Sequence, residues 1–75
     1  MDAEAMKYFS AALVMGLGAI GSAFGEAFIG GKAMDAMGRN PKYMDKLFTN
    51  MIVAQAIDES TAIYSLVTAL IILFV

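Results

Sequence analysis

The sequence predicts an all-α fold, two membrane-crossing helices folded back on each other as an antiparallel hairpin, and three observations carry that prediction. Two long apolar runs occupy most of the 75 residues. From Tyr8 to Gly31 the single charged residue is Glu26, and from Leu47 to Val75 only Asp58 and Glu59 are charged. Each run exceeds the roughly 20 residues with which a helix crosses about 30 Å of hydrocarbon. The stretch between them, Lys32 to Lys46, holds four of the five basic residues together with the one clear turn signal. Finally, apolar residues make up 60% of the chain and charged residues 16%, with a mean hydropathy of +0.71. Soluble domains are nearer half apolar and a quarter charged. So short a chain cannot hide this much apolar surface in its own core, and the excess must face lipid or further copies of the chain.

The composition also excludes function classes. Without Cys there is no disulfide or thiolate metal site, and without His the usual general base and transition-metal ligand are missing. A net charge of −2 leaves no nucleic-acid footprint. No self-contained enzyme and no bound cofactor are expected.

Helix 1 is expected over residues 3–38, a polar loop at 39–41 and helix 2 over 42–75, all within one domain. Lys32 and Asp35 lie on sequence that can stay helical, so helix 1 projects past the membrane before breaking near Gly38. Glycine suits a helix C-terminus, and Pro41 disfavours helix at Asn40. Each helix is then about 33 residues, on the order of 50 Å long. Lys32, Arg39, Lys42 and Lys46 cluster around the loop, and the positive-inside rule places it in the cytoplasm with both termini opposite. The leading Met1-Asp2-Ala3-Glu4 is acidic where a signal peptide is basic. The second helix is expected to end at or just inside the far interface, near Val75.

Gly16-Leu-Gly-Ala-Ile-Gly21 matches the dinucleotide-binding spacing G-x-G-x-x-G. That spacing has meaning only between a strand and a helix of a parallel sheet, so it carries nothing inside a membrane span. Packing accounts for these glycines better. Ala12, Gly16, Ala19, Ala23, Ala27 and Gly30 form a stripe spaced three and four apart, and Gly18, Gly21, Ser22 and Gly25 occupy neighbouring faces. Small residues let backbones approach closely in lipid. One such stripe marks any helix pair. Small residues on nearly every face suit a helix that touches identical neighbours as well as its own hairpin partner, and they permit a closed ring.

The chemistry lies in the intramembrane carboxylates. Glu59 falls roughly 20 Å beyond Lys46 and roughly 24 Å short of Val75, near mid-membrane, and Glu26 comes to similar depth across the hairpin. A charge there costs at least about 2.5–3.5 kcal/mol. No Lys or Arg lies at that depth, so a proton or a bound cation must neutralise it. For Glu26 the alternative is snorkelling toward the loop-side interface, about 9 Å away if Lys32 marks it. For Glu59 both interfaces are out of reach. Gln55, Ser60, Thr61 and Tyr64 collect oxygen groups around Glu59, as a hard cation requires. Taken singly, Ser60, Thr61 and Tyr64 equally suit hydrogen bonds to helix backbones. Glu59 and its neighbour Ser60 point about 100° apart, so one ion is more easily held between two copies.

These residues give the chain a specific resemblance. It is similar over nearly its whole length to the c subunit of F-type ATP synthases, the proteolipid of the membrane rotor ring. The small-residue first helix, the loop Arg39-Asn40-Pro41 and the carboxylate of the second helix all match. Glu59-Ser-Thr-Ala-Ile-Tyr64 is similar to the pattern of sodium-translocating members. The resemblance implies that Glu59 carries the ion, Na+ or alternatively H+. It implies that Ser60 gives a hydroxyl and Ile57 its carbonyl from the adjacent copy. Thr61 would hold a coordinating water, and Tyr64 would hydrogen-bond Glu59. Glu26 falls where sodium-type members carry Gln or Glu. With two carboxylates and one ion, Glu26 is expected to stay protonated and to donate or coordinate while Glu59 ionises. Arg39, Asn40 and Pro41 match the loop that meets the central stalk. Partners implied are identical c subunits, a stator a subunit, central-stalk subunits and lipid.

Two departures from the family pattern bear on mechanism. Ala19 and Ala23 stand where glycine is common, which leaves the copy number of the ring open. Asp58 adds a carboxylate where an alanine-like residue is usual, and it is open whether it is protonated against a helix, exposed to a water path or coupled to the site. A rival of another class is a small holin-like or regulatory membrane hairpin. It explains the hydropathy but gives no reason for Glu59 amid Ser60, Thr61 and Tyr64.

Overall fold

The computed structural model describes all of residues 1–75. Helix α1 runs Ala3–Arg39, a single 3-10 turn covers Pro41–Tyr43, and α2 runs Met44–Phe74. The two helices pack side by side along their length as an antiparallel hairpin, with extents of 58 × 18 × 8 Å.

Local signals account for the ends. Asp2 caps α1: its Oδ1 accepts from the Ala5 N–H at 2.7 Å, and Glu4 adds negative charge in the first turn, where the helix dipole favours it. At the other end α1 runs past Gly38 and stops one residue later. Gly38 keeps an ordinary helical conformation, and no glycine in the chain has positive φ. Asn40 makes the stop. Its backbone (φ −136°, ψ 66°) leaves the helix while both its N–H and its Nδ2 donate to the Ala36 carbonyl, at 2.9 and 3.0 Å. Pro41 then begins the 3-10 turn, where its missing N–H is no loss. α2 therefore begins at Met44, not at residue 42.

Only six residues are buried in the single hairpin: Ala11, Ser22 and Met37 on α1, and Met51, Ala62 and Ala69 on α2. Two methionines fill the end near the turn, and small residues fill the rest of the seam. The exposed area is 5500 Å². A compact soluble monomer of 8.0 kDa would expose about 4500 Å². Phe24, Phe28, Ile57, Tyr64 and Phe74 are among the large side chains left outside. Both helices are long and apolar enough to cross a membrane, and a hairpin with this surface requires lipid and neighbours to cover it.

Glycines decide how close the helices come. A methyl group added at Gly18 would overlap the Ser65 side chain, and one added at Gly25 would lie 2.5 and 2.8 Å from the Asp58 carboxylate oxygens. At Gly30 it would lie 3.2 Å from Gln55 Nε2. At Gly16, Gly21 and Gly31 it would meet nothing within 4 Å. The hairpin seam thus passes through Gly18, Ser22 and Gly25. The stripe Ala12, Gly16, Ala19, Ala23 and Ala27 is exposed, on the side left for other chains, and of that stripe only Gly30 turns toward α2.

Candidate functional site: a carboxylate pair at the hairpin midpoint

Glu59 is the central residue of α2, with residues 44–58 before it and 60–74 after it. At 1.5 Å per residue it stands about 22 Å from either end. Helix α1 brings Glu26 to the same place. Ser22, at 3% exposure the most buried residue of the chain, lies between them. Its hydroxyl is 3.2 Å from Glu26 Oε2 and 3.4 Å from Glu59 Oε2, in donating geometry to both. A hydroxyl carries one hydrogen, so it can serve only one carboxylate fully at a time. A proton or a cation must satisfy what remains.

Glu26 does not snorkel. Its side chain runs back one turn to Ser22, away from the basic loop, in the direction that Cβ atoms point along a helix. Gln55 reinforces the crossing: its Nε2 donates to the Glu26 backbone carbonyl at 3.0 Å, in the space that Gly30 leaves open. Ser22 and Gln55 both build the site; the sequence marks Gln55 only as one of the oxygen groups near Glu59 and Ser22 only as a small packing residue. The available signal was position, since Ser22 lies four residues before Glu26 and Gln55 four before Glu59, each one helical turn away.

The remaining candidate residues form a second group, on the outer side of α2. Ser60 Oγ donates to the Ile57 carbonyl of its own chain at 2.6 Å. This bond is separate from the Glu26–Ser22–Glu59 cluster. Ile57 and Tyr64 are 68% and 71% exposed, and Thr61 is exposed beside them. Within one chain, then, Glu59 meets Ser22 and Glu26 but does not meet Ser60, Ile57, Thr61 or Tyr64. Asp58 points elsewhere again, into the seam against Gly25. Arg39, Asn40 and Pro41 lie exposed at the tip of the hairpin, with Arg39 in the last turn of α1, where a cation complements the dipole.

Two apolar helices that bring a pair of carboxyls together midway along α2 define a membrane hairpin with ionisable chemistry inside its span. The comparisons with known proteins agree. Residues 9–72 match the family described as the C subunit of ATP synthase. The ATP synthase c subunit of Petrotoga mobilis is 54% identical over 69 residues, which cover 92% of this chain and 72% of that protein. For its counterpart in Dehalococcoides mccartyi the identity is 45% over 75 residues, covering 100% and 99%. For that of Thermotoga maritima it is 51% over 69 residues, covering 92% and 81%. The chain belongs to the ATP synthase c-subunit family. It is a membrane component of the rotor ring, working in ion translocation as one of several c subunits within the complex. That membership displaces the reading as a holin-like hairpin.

Proposed function

We propose that this protein carries sodium, one ion per copy, on Glu59. The observation that supports it most directly is the midpoint position of Glu59 beside Glu26 and Ser22, an all-oxygen cluster. A proton needs a carboxyl and one hydrogen-bond partner, and Ser22 alone would supply that partner. The additional oxygens of Ser60, Ile57, Thr61 and Tyr64 on the outer side of α2 are what a hard cation uses. In the ring, the Ser60 hydroxyl and Ile57 carbonyl of one copy face Glu59 of the next, Thr61 holds a coordinating water, and Tyr64 steadies the Glu59 carboxylate by a hydrogen bond. Glu26 keeps its proton and donates or coordinates, so that one monovalent ion and one ionised carboxylate leave no net buried charge.

Glu59 takes the ion from one side, travels neutralised through lipid as the ring turns, and releases it to the other. A stator a subunit forces loading and unloading. The basic loop lies in the cytoplasm, where Arg39, Asn40 and Pro41 meet the central stalk. One charge moved through 100 mV supplies about 2.3 kcal/mol, so several ions must be summed by rotation for each ATP. The hairpin itself catalyses nothing: ATP chemistry belongs to its partners.

Labelling of the purified ring with dicyclohexylcarbodiimide tests this, because the reagent attacks protonated carboxyls in apolar surroundings. Mass spectrometry should find the adduct on Glu59, and sodium should suppress it. Labelling of Glu59 that sodium leaves unchanged would make the ring a proton carrier. Absence of label on Glu59 at any pH would remove Glu59 from the role.

A further inference from the structure

Asp58 is the carboxylate the ion path does not use. It sits on the seam face of α2, about 100° around the helix from Glu59, and its carboxyl lies directly over Gly25. Its Oδ2 is buried without a hydrogen-bond partner. One heptad away the same arrangement repeats, with Ser65 over Gly18. Gly18 and Gly25 are seven residues apart on α1, and Asp58 and Ser65 are seven apart on α2. Two glycine notches on α1 therefore receive two polar side chains of the antiparallel α2 at the same spacing. Ser22, which holds Glu26 and Glu59, lies between the notches.

Two such points define both the sliding and the rotation of one helix against the other. A one-residue slip would turn α2 by 100° and lift both side chains out of their notches onto positions that carry a Cβ. Small rotations matter as well. At a side-chain radius of 5–6 Å, a turn of 20° moves a carboxylate by roughly 2 Å. That is enough to take Glu59 Oε2 from 3.4 Å to beyond hydrogen-bonding distance of Ser22. Buried polar side chains at helix contacts are best attested as register devices, at a cost in stability. An unpartnered Asp58 oxygen inside the seam fits that use.

We propose that Asp58 is a positioning residue for the ion-carrying Glu59: seated by shape in the Gly25 notch, it sets the rotation of α2 that holds Glu59 against Ser22 and Glu26. The inference rests on Glu59 being the ion carrier. Nothing in it requires Asp58 to touch the ion, and an isosteric side chain should serve as well.

The test uses the intact ring and reads the sodium concentration that half-protects Glu59 from carbodiimide. Asp58→Ala, which empties the notch, should raise that concentration at least tenfold while rings still assemble. Asp58→Asn, which keeps the shape, should stay within twofold of the unaltered ring. Gly25→Ala, which closes the notch from the other helix, should reproduce the loss with Asp58 still present, and serves where Asp58→Ala does not assemble. Asp58→Ala or Gly25→Ala rings within twofold of the unaltered ring would overturn the proposal. Equal losses in Asp58→Ala and Asp58→Asn would also overturn it, since they would assign the effect to charge. Should Glu59 label without sodium protection, the rate of labelling is the readout and the same ranking applies. If Glu59 in the unaltered ring takes no label, the ion-carrier reading fails first and this one with it.

Discussion

Seam and flank of the same hairpin treat chemically similar residues in opposite ways. Asp58 and Glu59 are neighbours with the same functional group. Asp58 lies in the seam over Gly25, shut away from the ligands, whereas Glu59 lies at its edge, where it meets Ser22 and Glu26 and still opens outward. Gly18 and Gly16 divide in the same manner: a side chain at Gly18 would strike Ser65, and one at Gly16 would strike nothing. Turning through 100° per residue assigns one of each pair to holding the hairpin together and the other to what the hairpin does for its neighbours.

The largest expected effect falls on the flank. Under the proposed function Glu59→Gln removes the ion-carrying charge, so ion-driven ATP synthesis in membrane vesicles should fall below detection while the hairpin still inserts. Retained synthesis would break the contrast, by moving the ion elsewhere. In the seam, Gly18→Ala should destabilise the detergent-solubilised hairpin by about 1–3 kcal/mol, the usual cost of overpacking. Gly16→Ala should leave that hairpin within about 0.5 kcal/mol and register only in the assembled ring. Thermal unfolding of hairpin and ring separates the two.

Ser22 belongs to both regions, being the most buried residue and also the one that links the carboxyls. Ser22→Ala should weaken sodium protection of Glu59 by roughly ten- to a hundredfold, as a hydrogen bond to a charged group is worth about 1.5–3 kcal/mol. An unchanged protection curve would reduce Ser22 to packing. The smallest effect belongs to the turn. Asn40→Ala loses the exposed bond from Nδ2 to the Ala36 carbonyl and should cost about 0.5 kcal/mol in hairpin unfolding.

Much of this was legible in the residues themselves. Two apolar runs, a basic centre with Asn40-Pro41, and carboxylates with no basic residue at their depth depend on composition and helical rise alone, so the hairpin and its intramembrane glutamates follow without tertiary information. The depth of Glu59 is of that kind, since rise per residue converts sequence position directly into distance. The end of α1 was only approximately legible, because an asparagine side chain can cap a helix as well as a glycine can end one, and here Asn40 does so one residue past Gly38.

The tertiary structure decided which faces meet. Periodicity marks small residues on every side of α1 and does not rank them. Only the packed pair shows that Gly18, Ser22 and Gly25 face α2, while Ala12, Gly16, Ala19, Ala23 and Ala27 are left outward. Only the packed pair places Ser22 between the two glutamates and sets Asp58 against a glycine. The physical reason is that sequence spacing gives angles about one helix axis, whereas a contact needs the rotation and register of both, and those are set by how side chains of one helix fill the notches of the other.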